Sequence, residues 1–239
     1  MTITDIRPVP IAPGTLQPRH IAFIADGNRR WAKAQGTSVE AGFRQGATAV
    51  RRTLEQCRSL GLEAASVFLM SDRNFGRSAA EVVVLIDVIT ELVETEAAAS
   101  TGPVRILSYP GFNRFPPKLA AACRHAEEVT AGRDGMTVCL GIGYDGRADI
   151  RRAVGRALAA ADYDDRVELP VDQYLTTAGL PAPDLVVRTS GEHRLSGFLL
   201  WQSADATIHF DDRMWPDYDP ACLIEALAVA STQTRTFGR

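Results

Sequence analysis

Short apolar runs alternate along this chain with longer stretches whose apolar residues recur at helical spacing. The first run, His20-Ile-Ala-Phe-Ile-Ala25, reads as a strand; it breaks at Asp-Gly-Asn and passes into residues compatible with a helix from about Arg29 to Gln35. Helical spacing over Ala41–Leu60 stops at Gly61, a residue suited to the backbone just past a helix end, and the apolar run Ala64–Met70 follows. Strand, helix, strand in that order predicts a parallel pair joined by a right-handed crossover. Over Ala79–Ala99 the acids Glu81, Asp87, Glu91, Glu94 and Glu96 are spaced among Val, Leu and Ile, which predicts a long helix with one apolar face. The alternation continues with strands near Val104–Ser108, Met136–Ile142 and Asp184–Val187, and with helices near Pro117–Ala131, Ile150–Ala161 and Pro220–Thr232. Gly143-Tyr-Asp-Gly146 reads as a turn before a helix. The pattern predicts an α/β fold, an open, largely parallel central β-sheet flanked by helices. Ligands bind such sheets beyond the carboxyl ends of the strands, where Asp26–Arg30, Ser71–Arg77 and Arg188–Ser196 should converge.

Composition supports this reading. With 239 residues, 46% hydrophobic and 23% charged, the chain can bury a full core. Length alone permits two domains, but no Gly/Ser-rich or Pro-rich linker follows residue 20, so residues 19–239 are read as one catalytic domain. Residues 1–18, with scattered prolines, Asp5 and no apolar leader core, are read as a flexible tail on a cytoplasmic protein. No segment approaches the roughly 20 apolar residues that span a bilayer, so no stable membrane insertion is expected. A net charge of -3 gives no reason to expect nucleic acid, and any anion binding must come from local arginines. Cys57, Cys123, Cys139 and Cys222 form no C-x-x-C pair and are read as reduced core thiols.

Three polar clusters stand at predicted strand ends. Asp26 closes the first strand, Gly27 lets the backbone approach a ligand, and a helix N-terminus with Arg29 and Arg30 suits a phosphate, to which Asp26 could carry Mg²⁺. Taken in isolation, Asp-Gly-Asn reads more readily as a helix cap. In Asp184-Leu-Val-Val-Arg-Thr-Ser-Gly-Glu-His-Arg-Leu-Ser196, a loop can fold Arg188 and Arg194 onto one phosphate beside Ser196, although surface arginines are common. Ser71-Asp-Arg-Asn-Phe-Gly-Arg77 offers a hydroxyl, an amide and a guanidinium, or is an ordinary turn. Taken together, the clusters suggest two anionic substrates side by side. Other chemistries lack their residues: there is no P-loop, Gly141-Ile-Gly143 lacks the third glycine of a dinucleotide fingerprint, and Asp164-Asp165 and Asp211-Asp212 do not repeat at metal-bridging spacing. His20, His125 and His209 show no metal-ligand spacing and are read as structural, while His193 draws notice only through its arginine neighbours.

The segments His20–Ala32, Gly143-Tyr-Asp-Gly-Arg-Ala-Asp-Ile150, Asp184–Ser196 and Phe198-Leu-Leu-Trp-Gln-Ser203 resemble those of the cis-prenyltransferases, the undecaprenyl diphosphate synthase superfamily, from about His20 to the C-terminus. The resemblance implies that Asp26 binds Mg²⁺ and the diphosphate of an allylic donor, with Gly27, Asn28, Arg29, Arg30 and Trp31 around it. It implies that Arg188, Arg194 and Ser196 hold the acceptor diphosphate, that Ser71 and Asn74 assist proton removal, and that Phe75 and Arg77 line the same segment. It also implies a homodimer whose C-terminal tail helps complete the acceptor site. An all-helical trans-type synthase is excluded, because the chain lacks D-D-x-x-D segments and is rich in predicted strands.

Several family positions differ. Gly42-Phe43 replaces the usual Gly-His pair, Val39 an arginine, and Thr207 a glutamate that partners the metal-binding aspartate, with Asp205 as a candidate substitute. The usual Ser-x-Glu-Asn-Trp-x-Arg-Pro is Ser71-Asp-Arg-Asn-Phe-Gly-Arg-Ser78, and Arg235-Thr-Phe-Gly238 lacks the arginine before Phe-Gly. Leu69, between Phe68 and Met70, stands where long-chain members carry a small residue, which predicts a product of about two or three isoprene units. Asp26-Gly-Asn-Arg-Arg-Trp31 and Gly36-Thr-Ser-Val-Glu-Ala-Gly-Phe43 resemble the lavandulyl-type branch, which joins units head to middle on dimethylallyl diphosphate. The expected activity is short-chain prenyl diphosphate synthesis from a dimethylallyl or geranyl diphosphate donor, by that irregular coupling. The alternatives are head-to-tail cis condensation with isopentenyl diphosphate and a non-catalytic partner subunit.

Overall fold

A computed structural model describes residues 17–108, 111–160 and 168–232. Except for Gln17 and Pro18, the predicted tail lies outside the described residues, as do Asp164-Asp165 and the Arg235–Gly238 segment. The strands are β1 (His20–Ile24), β2 (Ala64–Ser71), β3 (Val104–Leu107), β4 (Thr137–Tyr144), β5 (Leu185–Arg188) and β6 (Thr207–Phe210). They form one six-stranded sheet in the order β3-β4-β2-β1-β5-β6, with every pairing parallel. The helices are α1 (Asn28–Ala34), α2 (Val39–Ser59), α3 (Ala79–Ala99), α4 (Pro117–Thr130), α5 (Gly146–Ala160) and α6 (Pro220–Ser231).

β1 shows why this sheet reads as apolar runs and not as alternation. Ile21 and Phe23 enter the large core beneath α2, α3, α4 and α6, while Ala22 and Ile24 enter a second cluster with Phe68, Tyr144 and Phe198 on the opposite face. The second face is closed by Phe68 stacked on Phe198, with centroids 4.6 Å apart. α3 packs against both α2 and α4 and buries Leu85, Val88, Ile89, Leu92 and Val93, a wider apolar surface than the single face predicted. Its Glu96 is buried and meets Arg58 of α2 at 2.5 Å.

Two predictions need correction. β6 was not expected: Thr207-Ile-His-Phe210 is four residues long and only partly buried at the sheet edge, so it carries no apolar run. The turn at 143–146 shrinks to Asp145, because β4 continues through Tyr144 and α5 begins at Gly146, with Asp145 Oδ1 accepting the Ala148 N–H. The four cysteines are buried free thiols. Burial pushes the Cys57 and Cys123 thiols up to about 12 and Cys139 to about 11, which keeps them protonated. Among the described residues, no helix is long and apolar enough to cross a membrane.

Candidate active site

The site lies at the carboxyl ends of the central strands β2, β1 and β5. β1 ends at Ile24, and Gly27 turns the chain into α1 with φ of 107°. A Cβ there would stand 3.0 Å from the Cβ atoms of both Met214 and Ser190, so backbone conformation and space both require glycine. Asp26 is held on all sides. Its N–H donates to the Thr189 hydroxyl, its carbonyl accepts from Thr189 and from the Trp215 N–H, and its Oδ1 accepts the Gly27 N–H at 2.7 Å.

Arg188, at the end of β5, is buried and reaches across to this turn. Its Nη2 donates to Asp26 Oδ2 at 2.9 Å, while Nη1 donates to Ser196 Oγ at 2.6 Å and to the Arg194 carbonyl. Its buried Nε–H has no partner, a free donor on a cation already aimed at the site. Arg30 lies 3.5 Å from Asp26 Oδ2 and 3.6 Å from Glu192, and Glu192 also pairs with Arg194. Each of these two carboxylates therefore bridges an arginine from the α1 side to one from the β5 side. Across the cavity, Glu81 joins Arg77 at 2.9 Å and Arg29 at 3.5 Å. Burial, and then the proximity of Arg29, lowers the Arg77 pKa below the usual arginine range.

These groups surround a cavity of about 480 Å³. Its walls include Asp26, Gly27, Asn28, Arg29 and Arg30 from the β1–α1 turn, and Leu69, Ser71, Asn74 and Arg77 from the end of β2. Phe43 of α2 and Arg188, Arg194 and Ser196 complete the set. Two residues expected at the site lie elsewhere. Trp31 turns away to donate its indole N–H to Asp217 at 2.7 Å, and Phe75 packs against Phe115. Glu192, Glu81 and Thr189 were overlooked; Glu192 stands between two suspected arginines, and Glu81 follows Arg77 at i+4 spacing. Phe43, Leu69 and Leu85 also wall a narrow apolar crevice of about 30 Å³ that runs toward Val88 and Trp215. That is room for about one or two waters.

The donor set around Asp26 fits a substrate-borne metal and not a protein cage. Among the described residues, no group of three or more His, Cys, Asp or Glu side chains could hold an ion. Thr207 pairs with Leu185, level with Ile21, about 17 Å along the sheet from Asp26 at roughly 3.3 Å per residue. Asp205 precedes it, so within one chain it lies toward the opposite end of the sheet from Asp26. Mg²⁺ is commonly held by one carboxylate together with substrate phosphates and water, which Asp26 beside converging arginines allows.

The family model for undecaprenyl diphosphate synthases matches residues 24–238. An isoprenyl transferase of Chromobacterium violaceum is 38% identical over 230 residues, covering 96% of this chain and 91% of that protein. A ditrans,polycis-undecaprenyl-diphosphate synthase of Pseudomonas putida, specific for (2E,6E)-farnesyl diphosphate, is 37% identical over 238 residues, covering 96% and 94%. Among solved structures, lavandulyl diphosphate synthase from Lavandula x intermedia, in complex with dimethylallyl diphosphate, superimposes with a TM-score of 0.87 at 31% identity, covering 93% of this chain and 99% of that one.

Proposed function

The chain belongs to the undecaprenyl diphosphate synthase family and is a prenyl diphosphate synthase; from that premise we propose that it joins two five-carbon units, or a ten- and a five-carbon unit, by head-to-middle coupling onto dimethylallyl diphosphate. The donor diphosphate lies against Asp26, the α1 N-terminus, Arg29, Arg30 and Arg77, and the acceptor diphosphate against Arg188, Arg194 and Ser196. Asp26 would hold Mg²⁺, which would supply neutralisation for the charge on the departing diphosphate. The arginines and the α1 N–H groups stabilise the same charge from fixed positions.

The donor C1–O bond breaks with its electrons leaving on diphosphate, and the acceptor double bond supplies the pair for the new C–C bond. The cation left on the acceptor then loses a methyl proton, which the released diphosphate takes up. Ser71, whose hydroxyl lies 3.1 Å from Asn74 Oδ1, is the polar group offered to that step from the end of β2.

The observation that carries the irregular reading is the sharing of Asp26 and Glu192 between arginines of both proposed subsites, which supports two diphosphates held side by side. In dimethylallyl diphosphate the nucleophilic carbon adjoins the diphosphate-bearing carbon, so close diphosphates suit it; in isopentenyl diphosphate that carbon is at the far end. The lavandulyl-type structural neighbour supports the same reading. The short crevice behind Phe43, Leu69 and Leu85 supports a short product. Head-to-tail condensation with isopentenyl diphosphate is the second reading, favoured by the names of the bacterial relatives. In this reading the protein acts as a homodimer through the β6 edge, where among the described residues no further strand pairs and Ile208 is 39% exposed.

Incubation with Mg²⁺ and paired dimethylallyl, geranyl and isopentenyl diphosphates, followed by mass spectrometry and NMR, tests the proposal. A branched ten-carbon diphosphate from dimethylallyl diphosphate alone is expected. Exclusively linear cis products would replace the irregular reading with the second, and no turnover with any pair would sink both.

A further inference from the structure

The segment after β2 has two faces. Ser71, Asn74 and Arg77 line the cavity, with the Ser71 N–H held by Asn74 Oδ1 at 2.9 Å. Asp72 and Phe75 are engaged by a different element, the short turn Phe112–Arg114 that follows β3. Arg114 Nη1 donates to Asp72 Oδ1 at 2.5 Å, and the same guanidinium lies 5.5 Å from the centroid of the Phe75 ring. Phe75 in turn packs on Phe115 with centroids 6.3 Å apart, and Phe115 on Phe112 at 5.6 Å. Gly143, near the end of β4, makes room: a Cβ there would stand 3.2 Å from both Phe75 and Phe115. The connection leaving β3 thus reaches across the end of β4 to grip the segment leaving β2. The carboxylate that the family carries at the third position of this segment is here Arg73, and Asp72, one place earlier, makes the ion pair.

We propose that Arg114 is a positioning residue for the prenyl transfer, clamping the Ser71–Arg77 segment through Asp72 and Phe75 so that Ser71, Asn74 and Arg77 face the diphosphates. This rests on the roles given to those three residues above. Arg114 and Asp72 are 51% and 32% exposed in their side chains, so the contact contributes little to global stability. Its effect is local, on how much of the time a short segment outside the core holds one conformation. An exposed ion pair together with a cation–π contact corresponds to roughly a three- to thirtyfold change in that population.

The test uses the full chain and the variants Arg114→Gln, Asp72→Asn and the charge exchange Asp72→Arg/Arg114→Asp. Trypsin cleavage after Arg73 and Arg77 reports the segment without reference to any reaction, and steady-state kinetics report the chemistry. Each single variant should melt with the wild type, be cut about three- to thirtyfold faster, and lose kcat/KM by a similar factor; the exchange, which adds a trypsin site at position 72 and is therefore read by kinetics alone, should recover a substantial part of kcat/KM. Unchanged cleavage would remove the clamp. Faster cleavage with unchanged kinetics would remove its positioning role, whereas a wild type without turnover would count against the prenyl-transfer reading and leave the cleavage result to decide the clamp.

Discussion

At the scale of single residues, the site is a balance of charge before any substrate arrives. Asp26 lies 2.9 Å from a nearly inaccessible Arg188 guanidinium, so Asp26→Ala removes the group offered to a metal and leaves a buried cation without its carboxylate. Turnover should fall by at least about a hundredfold. Stability should fall by only about 1–2 kcal/mol, less than for a fully buried pair, because the Asp26 side chain is 34% exposed. Activity near wild type in a folded variant would remove Asp26 from the mechanism. His20 offers a prediction of another kind. Its Nδ1 lies 2.7 Å from the Pro181 carbonyl, which can only accept, so Nδ1 carries the hydrogen and Nε2 accepts from the Ser66 hydroxyl. Burial holds its pKa below the ordinary value of 6.5. The unfolded chain therefore binds a proton near pH 6.5 that the folded chain still refuses, and stability present above that pH declines as pH falls below it. Melting temperatures between about pH 7.5 and 5.5 should drop less steeply for His20→Gln than for the wild type; parallel profiles would contradict the assignment.

At the scale of elements, α1 is seated on α2 through two glycines whose substitution separates stability from chemistry. A Cβ on Gly42 would lie 2.5 Å from the Asn28 carbonyl oxygen, which is backbone and cannot step aside. Gly42→Ala should cost about 1–3 kcal/mol, read by denaturant unfolding. On Gly46 it would lie 2.1 Å from Asn28 Oδ1, a side chain that can rotate. Gly46→Ala should therefore keep most of its stability, aided by the better helix propensity of alanine, while lowering turnover by moving Asn28 in the cavity wall. Equal effects of the two substitutions on both measurements would contradict this division. The elements differ likewise in how legible they were. The central strands bury both faces and read directly as apolar runs, and Gly61 marked the end of α2. β6 did not, since half-exposed Thr207-Ile-His-Phe210 has neither alternation nor an apolar run. Residues at strand ends could be proposed for the site because topology sends their loops to one place. Glu81 and Glu192 left only weak signals because they matter through arginines brought near by folding, and Trp31 and Phe75 were misplaced because the direction of a side chain on a turn or a short helix is fixed by partners such as Asp217 and Phe115.

At the scale of the whole molecule, among the described residues the sheet ends at β6, where Ile208 is 39% exposed. Ile208→Lys should convert a dimer to a monomer in size-exclusion chromatography with light scattering, leaving the fold intact. A wild type that runs as a monomer, or a variant that still dimerises, would move the interface elsewhere. The strand order also sets a timetable. β1 takes β2 as one neighbour and β5 as the other, so Asp26 receives Arg188 only after a separation of 162 residues has been synthesised. Domains generally acquire structure from the N-terminus as the chain emerges. Here the early half can assemble α1 and α2 on β1 and β2, yet it must present Asp26 without its guanidinium partner until Arg188 has been made. A ribosome-bound chain stalled before Arg188 would therefore hold half of a binding site and should make no product.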